Sequence, residues 1–214
     1  MHIPDGFLSM PVAVSGIAIA SATVGYAVKA TNKKLGEKQI PMMGVLAAFI
    51  FAAQMLNFPV VGGTSGHFVG AALAAILLGP WAGVLIMTCV LLVQCLVFQD
   101  GGLLALGANI VNMGVVGCLL GYYAYRGVAL LAGNRRALVL TAAGIAGWMS
   151  TVAAAVFCAL ELGISGTVPL RVALPAMAGV HALIGIGEGL ITAAVLALVM
   201  ATRPDLVGLE PQRT

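Results

Sequence analysis

Three nitrogen donors fall within the first two residues of the chain, which opens Met1-His2-Ile3-Pro4-Asp5-Gly6. The α-amine of Met1, the deprotonated amide nitrogen of His2 and the His2 imidazole Nδ1 would close two fused chelate rings around one metal ion. They lie in a plane and leave one equatorial position open. The chain holds three histidines, and a second imidazole would complete the tetragonal four-nitrogen set that suits Ni(II) or Cu(II). This chemistry requires that Met1 survive. Initiator methionines are trimmed before small side chains, and histidine is large. Met1 to Met10 also lacks the basic stretch of a cleavable signal peptide. The competing reading is a disordered tail, the ordinary condition of a terminus.

The elements that must position these donors lie in lipid. Hydrophobic residues make up 61% of the chain and charged residues 8%, against about a quarter charged in soluble domains. The apolar runs predict an all-α polytopic membrane protein, a bundle of seven helices over Val12–Val28, Met42–Phe58, His67–Leu78, Trp81–Phe98, Leu103–Tyr125, Leu138–Leu162 and Pro175–Ala201. Residues 1–201 form one integral membrane domain, and 202–214 read as a short cytoplasmic tail. Lys29, Lys33, Lys34, Lys38, Arg126, Arg135, Arg136, Arg203 and Arg213 fall on one side if all seven helices span, and Arg171 alone on the other. That asymmetry predicts an outer N-terminus and a cytoplasmic C-terminus in the cytoplasmic membrane of a prokaryote. The net charge of +3 then reports topology and calls for no nucleic acid. Cys89, Cys95, Cys118 and Cys158 lie in apolar runs at spacings that fit neither a zinc site nor a redox pair.

The third helix is short. Twelve residues rise about 18 Å, so His67 should start well inside a hydrocarbon layer roughly 30 Å thick. Val61 to Gly66 must then dip inward as non-helical backbone, which membranes tolerate only inside protein or along a cavity. The ten residues before Pro11 reach roughly 30 Å, so Met1 can fold back to His67. Asp5 is close enough in sequence to accept from the other His2 ring nitrogen, or is simply a turn residue in Pro4-Asp5-Gly6. Asn57 and Ser65 flank the same hollow. His181 and Glu188 share a face of the last helix, and Glu188 must face the bundle interior, be protonated or be paired. Gln99-Asp100-Gly101-Gly102 is either a lid over the hollow or a plain turn. Gly44, Ala48 and Ala52 make a small-residue stripe, suited either to packing within the bundle or to another helix.

Four stretches, MHIPDGFLS from Met1, GGTSGHFVGAAL around His67, QDGGLLALGANIVNMG from Gln99 and GVHALIGIGEGLIT from Gly179, resemble the membrane-embedded substrate-capture (S) component of energy-coupling factor transporters for nickel and cobalt, the NikM/CbiM family. The resemblance spans essentially the whole chain. It implies a seven-helix bundle with its N-terminus folded inward, and a metal held by the Met1 amine, the His2 amide and imidazole, and the His67 imidazole. It implies no permanently bound cofactor; the ligand is the transported Ni(II) or Co(II). The implied partners are a transmembrane coupling (T) protein, docked on Gly44, Ala48 and Ala52, and cytoplasmic ATPase subunits, with a small accessory membrane subunit left open. The sequence carries no Gly-x-x-x-x-Gly-Lys-Ser/Thr loop, so energy must come from a partner. Two other classes compete: an intramembrane metal-dependent enzyme built on His67, His181 and Glu188, and a proton-coupled metal carrier with Glu188 as relay. No His-Glu-x-x-His helix supports the first.

Overall fold

The computed structural model describes residues 1–33, 36, 39–132 and 135–203. Its helices are α1 (Met10–Asn32), α2 (Gln39–Gln54), α3 (Ala71–Leu78), α4 (Pro80–Phe98), α5 (Leu106–Asn109), α6 (Gly117–Ala132), α7 (Arg136–Ile164) and α8 (Leu170–Thr202). A π-helical segment, Ile110–Val116, joins α5 to α6 in one continuous rod. Among the described residues there are therefore seven rods, one for each apolar run in the sequence. Five are long and apolar enough to cross a bilayer: α1, α4, the α5–α6 rod, α7 and α8. Large apolar side chains stay exposed on their outer faces, among them Ile19, Leu96, Leu183 and Leu190, as lipid-facing surfaces require. The chain is a multi-pass membrane protein.

Among the predicted boundaries that move, two matter to the site. The second helix ends at Gln54, not Phe58, because Phe58–Pro59 (β1) pairs antiparallel with Ser65–Gly66 (β2). This small hairpin carries Ser65 into the protein. The third helix starts at Ala71, leaving His67 on the non-helical approach to it. Gly70 stops the helix from extending backwards. Its φ is 78°, a left-handed conformation that favours glycine, and a Cβ there would lie 2.7 Å from Ile50 Cγ1. At the other end, α8 begins five residues before Pro175, which the sequence reading took as its start. The proline lies so near the N-terminus that it removes one early helical bond, and the helix continues through it.

Helix α3 is the axis of the arrangement. Ala71 to Leu77 are all buried, with α2, α4, α6, α7 and α8 packed around them. A helix of eight residues rises only about 12 Å, so space above its N-terminus is left for non-helical chain. Helices α7 and α8 come close together where Gly189 meets Gly144; a Cβ on Gly189 would lie 2.6 Å from the Gly144 carbonyl oxygen. Such backbone proximity is the usual source of helix cohesion in lipid. On α2 the stripe Gly44, Ala48 and Ala52 is exposed, and a Cβ on Gly44 would meet nothing within 4 Å. Packing within the bundle is thus not what the stripe serves.

Candidate metal site

The first residues turn inward and are clamped there by hydrogen bonds from three directions. Ile3 pairs with Asn109 as a strand would: its N–H donates to Asn109 Oδ1 at 2.9 Å, and Asn109 Nδ2 donates to its carbonyl at 3.2 Å. Gly102 N–H reaches the same carbonyl at 2.8 Å. Thr167 Oγ1 donates to the Phe7 carbonyl. The outcome is that Met1 and Ile3 have no exposed surface and His2 has 4%. The disordered-tail reading does not hold.

At the end of this segment the Met1 amine donates to the Ser65 carbonyl and, at 2.6 Å, to Ser65 Oγ. The His2 N–H also donates to Ser65 Oγ, at 3.1 Å. Amine and amide nitrogen therefore converge on one locus, as a five-membered chelate ring requires. The His2 and His67 rings lie edge to face with centroids 4.5 Å apart. His67 Nδ1 donates to the Phe68 carbonyl at 2.6 Å, which fixes the tautomer and leaves the lone pair on Nε2. That Nε2 is buried and has no protein partner.

Electrostatics make these nitrogens donors at neutral pH. Burial lowers the pKa of the Met1 amine from 8.0 to about 5, against a smaller opposing pull from Cys158 and Asp100. Burial, with the neighbouring amine's charge, lowers His2 from 6.5 to about 3. Desolvation disfavours the charged form of each, so both hold free lone pairs in place of protons.

The supporting residues are partly those expected and partly not. Ser65 is in the centre of the site. Asn57 Nδ2 donates to Asp100 Oδ2 at 3.0 Å, one residue removed from His2. Asp5 does not serve His2. Its carboxylate accepts the N–H groups of Leu103 at 3.1 Å and Leu104 at 2.8 Å, because the turn at Pro4-Asp5-Gly6 directs it back along the 99–104 loop. The carboxylate beside His2 is Asp100, with Oδ1 at 3.4 Å from Nδ1; burial raises its pKa, offset by the Met1 amine and the Asn57 hydrogen bond. The 99–102 loop is held against the N-terminal segment and is more than a plain turn. Glu188 accepts from Val69 N–H at 2.8 Å and Gly70 N–H at 2.6 Å, so it braces the backbone just after His67. His181 donates from Nδ1 to the Met177 carbonyl at 2.7 Å, and it lies behind the site, against the Ser65 backbone and within electrostatic reach of the Met1 amine and His67.

Asn109 was missed by the sequence reading. An amide in an otherwise apolar helix must find partners, and that was the signal available in the Gly107-Ala108-Asn109 stretch.

Comparison with known proteins identifies the family. The family described as cobalt uptake substrate-specific transmembrane region (CbiM) matches residues 2–206. The NikMN protein of Archaeoglobus fulgidus is 49% identical over 209 residues, covering 97% of this chain and 68% of that protein. The fused nickel transport protein NikMN of Rhodobacter capsulatus is 38% identical over 232 residues, covering 100% of this chain and 65% of that one. The chain thus spans about two thirds of the length of these fused relatives. A crystal structure of a truncated transition metal transporter superposes with a TM-score of 0.89 at 36% identity, covering 94% of this chain and 99% of that one. With a match over nearly its whole length, the chain belongs to the CbiM/NikM family of cobalt and nickel transport proteins.

Proposed function

We propose that this chain is the high-affinity Ni(II)- or Co(II)-capturing subunit of an ATP-driven energy-coupling factor importer in a prokaryotic cytoplasmic membrane. The observation that carries the reading is the burial of the Met1 amine, sharing Ser65 Oγ with the His2 amide and lying beside the unpartnered Nε2 of His67. The ion's four donors are the Met1 amine, the His2 amide nitrogen, His2 Nδ1 and His67 Nε2. In the structure His2 Nδ1 faces Asp100. A half-turn of the ring about Cβ–Cγ exchanges its edges, bringing Nδ1 to the backbone nitrogens and making Nε2 the nitrogen nearer Asp100. Loading also removes the His2 amide proton, and with it the hydrogen bond to Ser65.

The seven rods are read as seven passes with the N-terminus outside. Thr167, between α7 and α8, bonds the N-terminal segment, whereas Arg136 at the start of α7 reaches the Ala197 carbonyl near the end of α8. Arg135, Arg136 and Arg203 therefore gather at the end away from Met1, which becomes the cytoplasmic side. Lys34, Lys38, Arg213 and most of the 202–214 tail lie outside the described residues. The exposed stripe Gly44, Ala48 and Ala52 is the docking face for a transmembrane coupling protein, and ATP hydrolysis belongs to cytoplasmic ATPase subunits.

Titrating the purified chain with Ni(II) should load one ion per chain as a yellow, diamagnetic complex, since four in-plane nitrogens favour low-spin Ni(II). A paramagnetic green complex, or no binding, would overturn the ligand set. Glu188 separates this reading from enzyme or relay chemistry, because both its oxygens are committed to backbone N–H groups. Glu188→Gln turns one acceptor into a donor facing an N–H. The expected result is a loss of about 1–3 kcal/mol in unfolding stability, with Ni(II) affinity kept within about tenfold, measured by thermal melts and calorimetric titration. A relay or catalytic Glu188 would instead leave a stable, loaded and inactive protein.

A further inference from the structure

Outside His2 the protein holds a cavity of about 390 Å³, lined among others by Asn57, Thr64, Ser65, Gln99 and Asp100. His2 forms its inner wall, with Nε2 buried and without a partner. The other polar groups in the lining are oxygen-bearing side chains. Among the described residues that line it, Asp100 is the one carboxylate, and there is no lysine or arginine. Its side chain is 19% exposed. The backbone is held in an unfavourable shape to put it there: Gln99, at the end of α4, has a φ of 56°, rare for a residue with a Cβ. Such outliers persist where the surroundings enforce them, often at ligand sites. Asn57 Nδ2 then fixes Oδ2, while Oδ1 faces His2. A carboxylate has about four lone-pair positions, so two contacts leave it room for a cation or for a cation's water.

From this arrangement we propose that the cavity is an outer holding site for a hydrated divalent cation, with Asp100 as its charged anchor. The inference rests on the metal-capture function above. A divalent aqua ion arrives with a complete shell of oxygen ligands and prefers to exchange them stepwise. Asp100 offers oxygen to the hydrated ion with Oδ1 3.4 Å from the ring that must next receive it, and Asn57 adds its amide oxygen to the same lining. The ion then trades water for the nitrogens of His2, Met1 and His67. A negative group in a walled cavity raises local cation concentration and association rates by roughly 10–10³-fold, an effect that weakens with salt. Asp100 is accordingly a positioning and steering residue. It governs how fast the ion comes in, and the nitrogen site governs how tightly it is kept.

The test is stopped-flow Ni(II) binding to the full chain in nanodiscs, with dissociation followed separately by chelator trapping. For Asp100→Asn the association rate should fall at least about tenfold and lose most of its ionic-strength dependence. Its dissociation rate should change by much less than its association rate, and the absorption band of the loaded site should stay in place, because Asp100 is not itself a ligand. Asp100→Glu should restore most of the association rate. If the loss in Asp100→Asn lies in dissociation, or the band shifts, Asp100 is only a prop for the His2 ring and the holding site is wrong. If neither rate changes, it is wrong as well. Failure of the unmodified protein to bind Ni(II) would instead overturn the capture function itself.

Discussion

Placing one extra residue with an acetylated amine ahead of Met1 is expected to weaken Ni(II) binding by roughly a thousandfold or more, equivalent to about 4 kcal/mol, although no side chain is removed. The new residue converts the Met1 amine to an amide, and its acetyl group leaves no free amine that could join a third-place His2 in a new planar chelate, so the terminal donor is lost. It also has nowhere to go. Met1 is fully buried, and its amine donates to both the carbonyl and the hydroxyl of Ser65. An upstream residue must push the hairpin of β1 and β2 aside or pull Met1, His2 and Ile3 out of the chamber. His67→Ala should cost less, on the order of a hundredfold, because the tridentate part survives. The comparison needs three proteins: the unmodified chain, the extended chain, and one with the same residue added at the C-terminus. Competition titration against a chelator reads the affinities, and intact mass confirms each terminus. Undiminished binding of a yellow complex by the extended chain would rule out the amine as a donor.

The part of this site legible in sequence is the part governed by covalent geometry and by length. Met1 and His2 are adjacent, so their chelate rings follow from bond connectivity. The burial of His67 agrees with counting residues to Gly79-Pro80, although the helix itself starts only at Ala71, and the reach of the N-terminus followed from the extent of ten residues. What could not be read depends on pairs far apart in the chain. Asp5 and Asp100 both lie near His2 in a plausible folding of the loops, and only the packed structure assigns Asp5 to Leu103 and Leu104 and Asp100 to the imidazole. Phe68 and Val69 are apolar and follow the pattern of the helix after them, so their non-helical backbone was hidden. Gly70 was the local sign of a boundary, but the force that holds it is Glu188, 118 positions away. The π-helical segment after Asn109 likewise leaves no mark on apolar periodicity.

Between pH 6 and 8 the apparent Ni(II) affinity should rise about tenfold per pH unit, and more steeply below pH 6. The slope counts the protons released on binding. For a cation whose pKa is lowered, the neutral form dominates above the shifted value, and proton competition returns only as pH falls through it. The Met1 amine is lowered to about 5 and the His2 imidazole to about 3, so across this window neither has a proton to give up. The proton that leaves is the amide proton of His2, which sets a slope of one. An amine and imidazole in open water, at 8.0 and 6.5, would add up to two further protons over the same range. Burial of the terminus thus removes most of the proton competition that an exposed chelate of the same atoms would face. Competition titrations across the window give the slope, and calorimetry in buffers of different ionisation enthalpy counts the protons directly. A flat profile would exclude an amidate ligand. A slope near three would mean that the amine and imidazole meet the ion protonated, and that the first two residues are not held in the buried position described above.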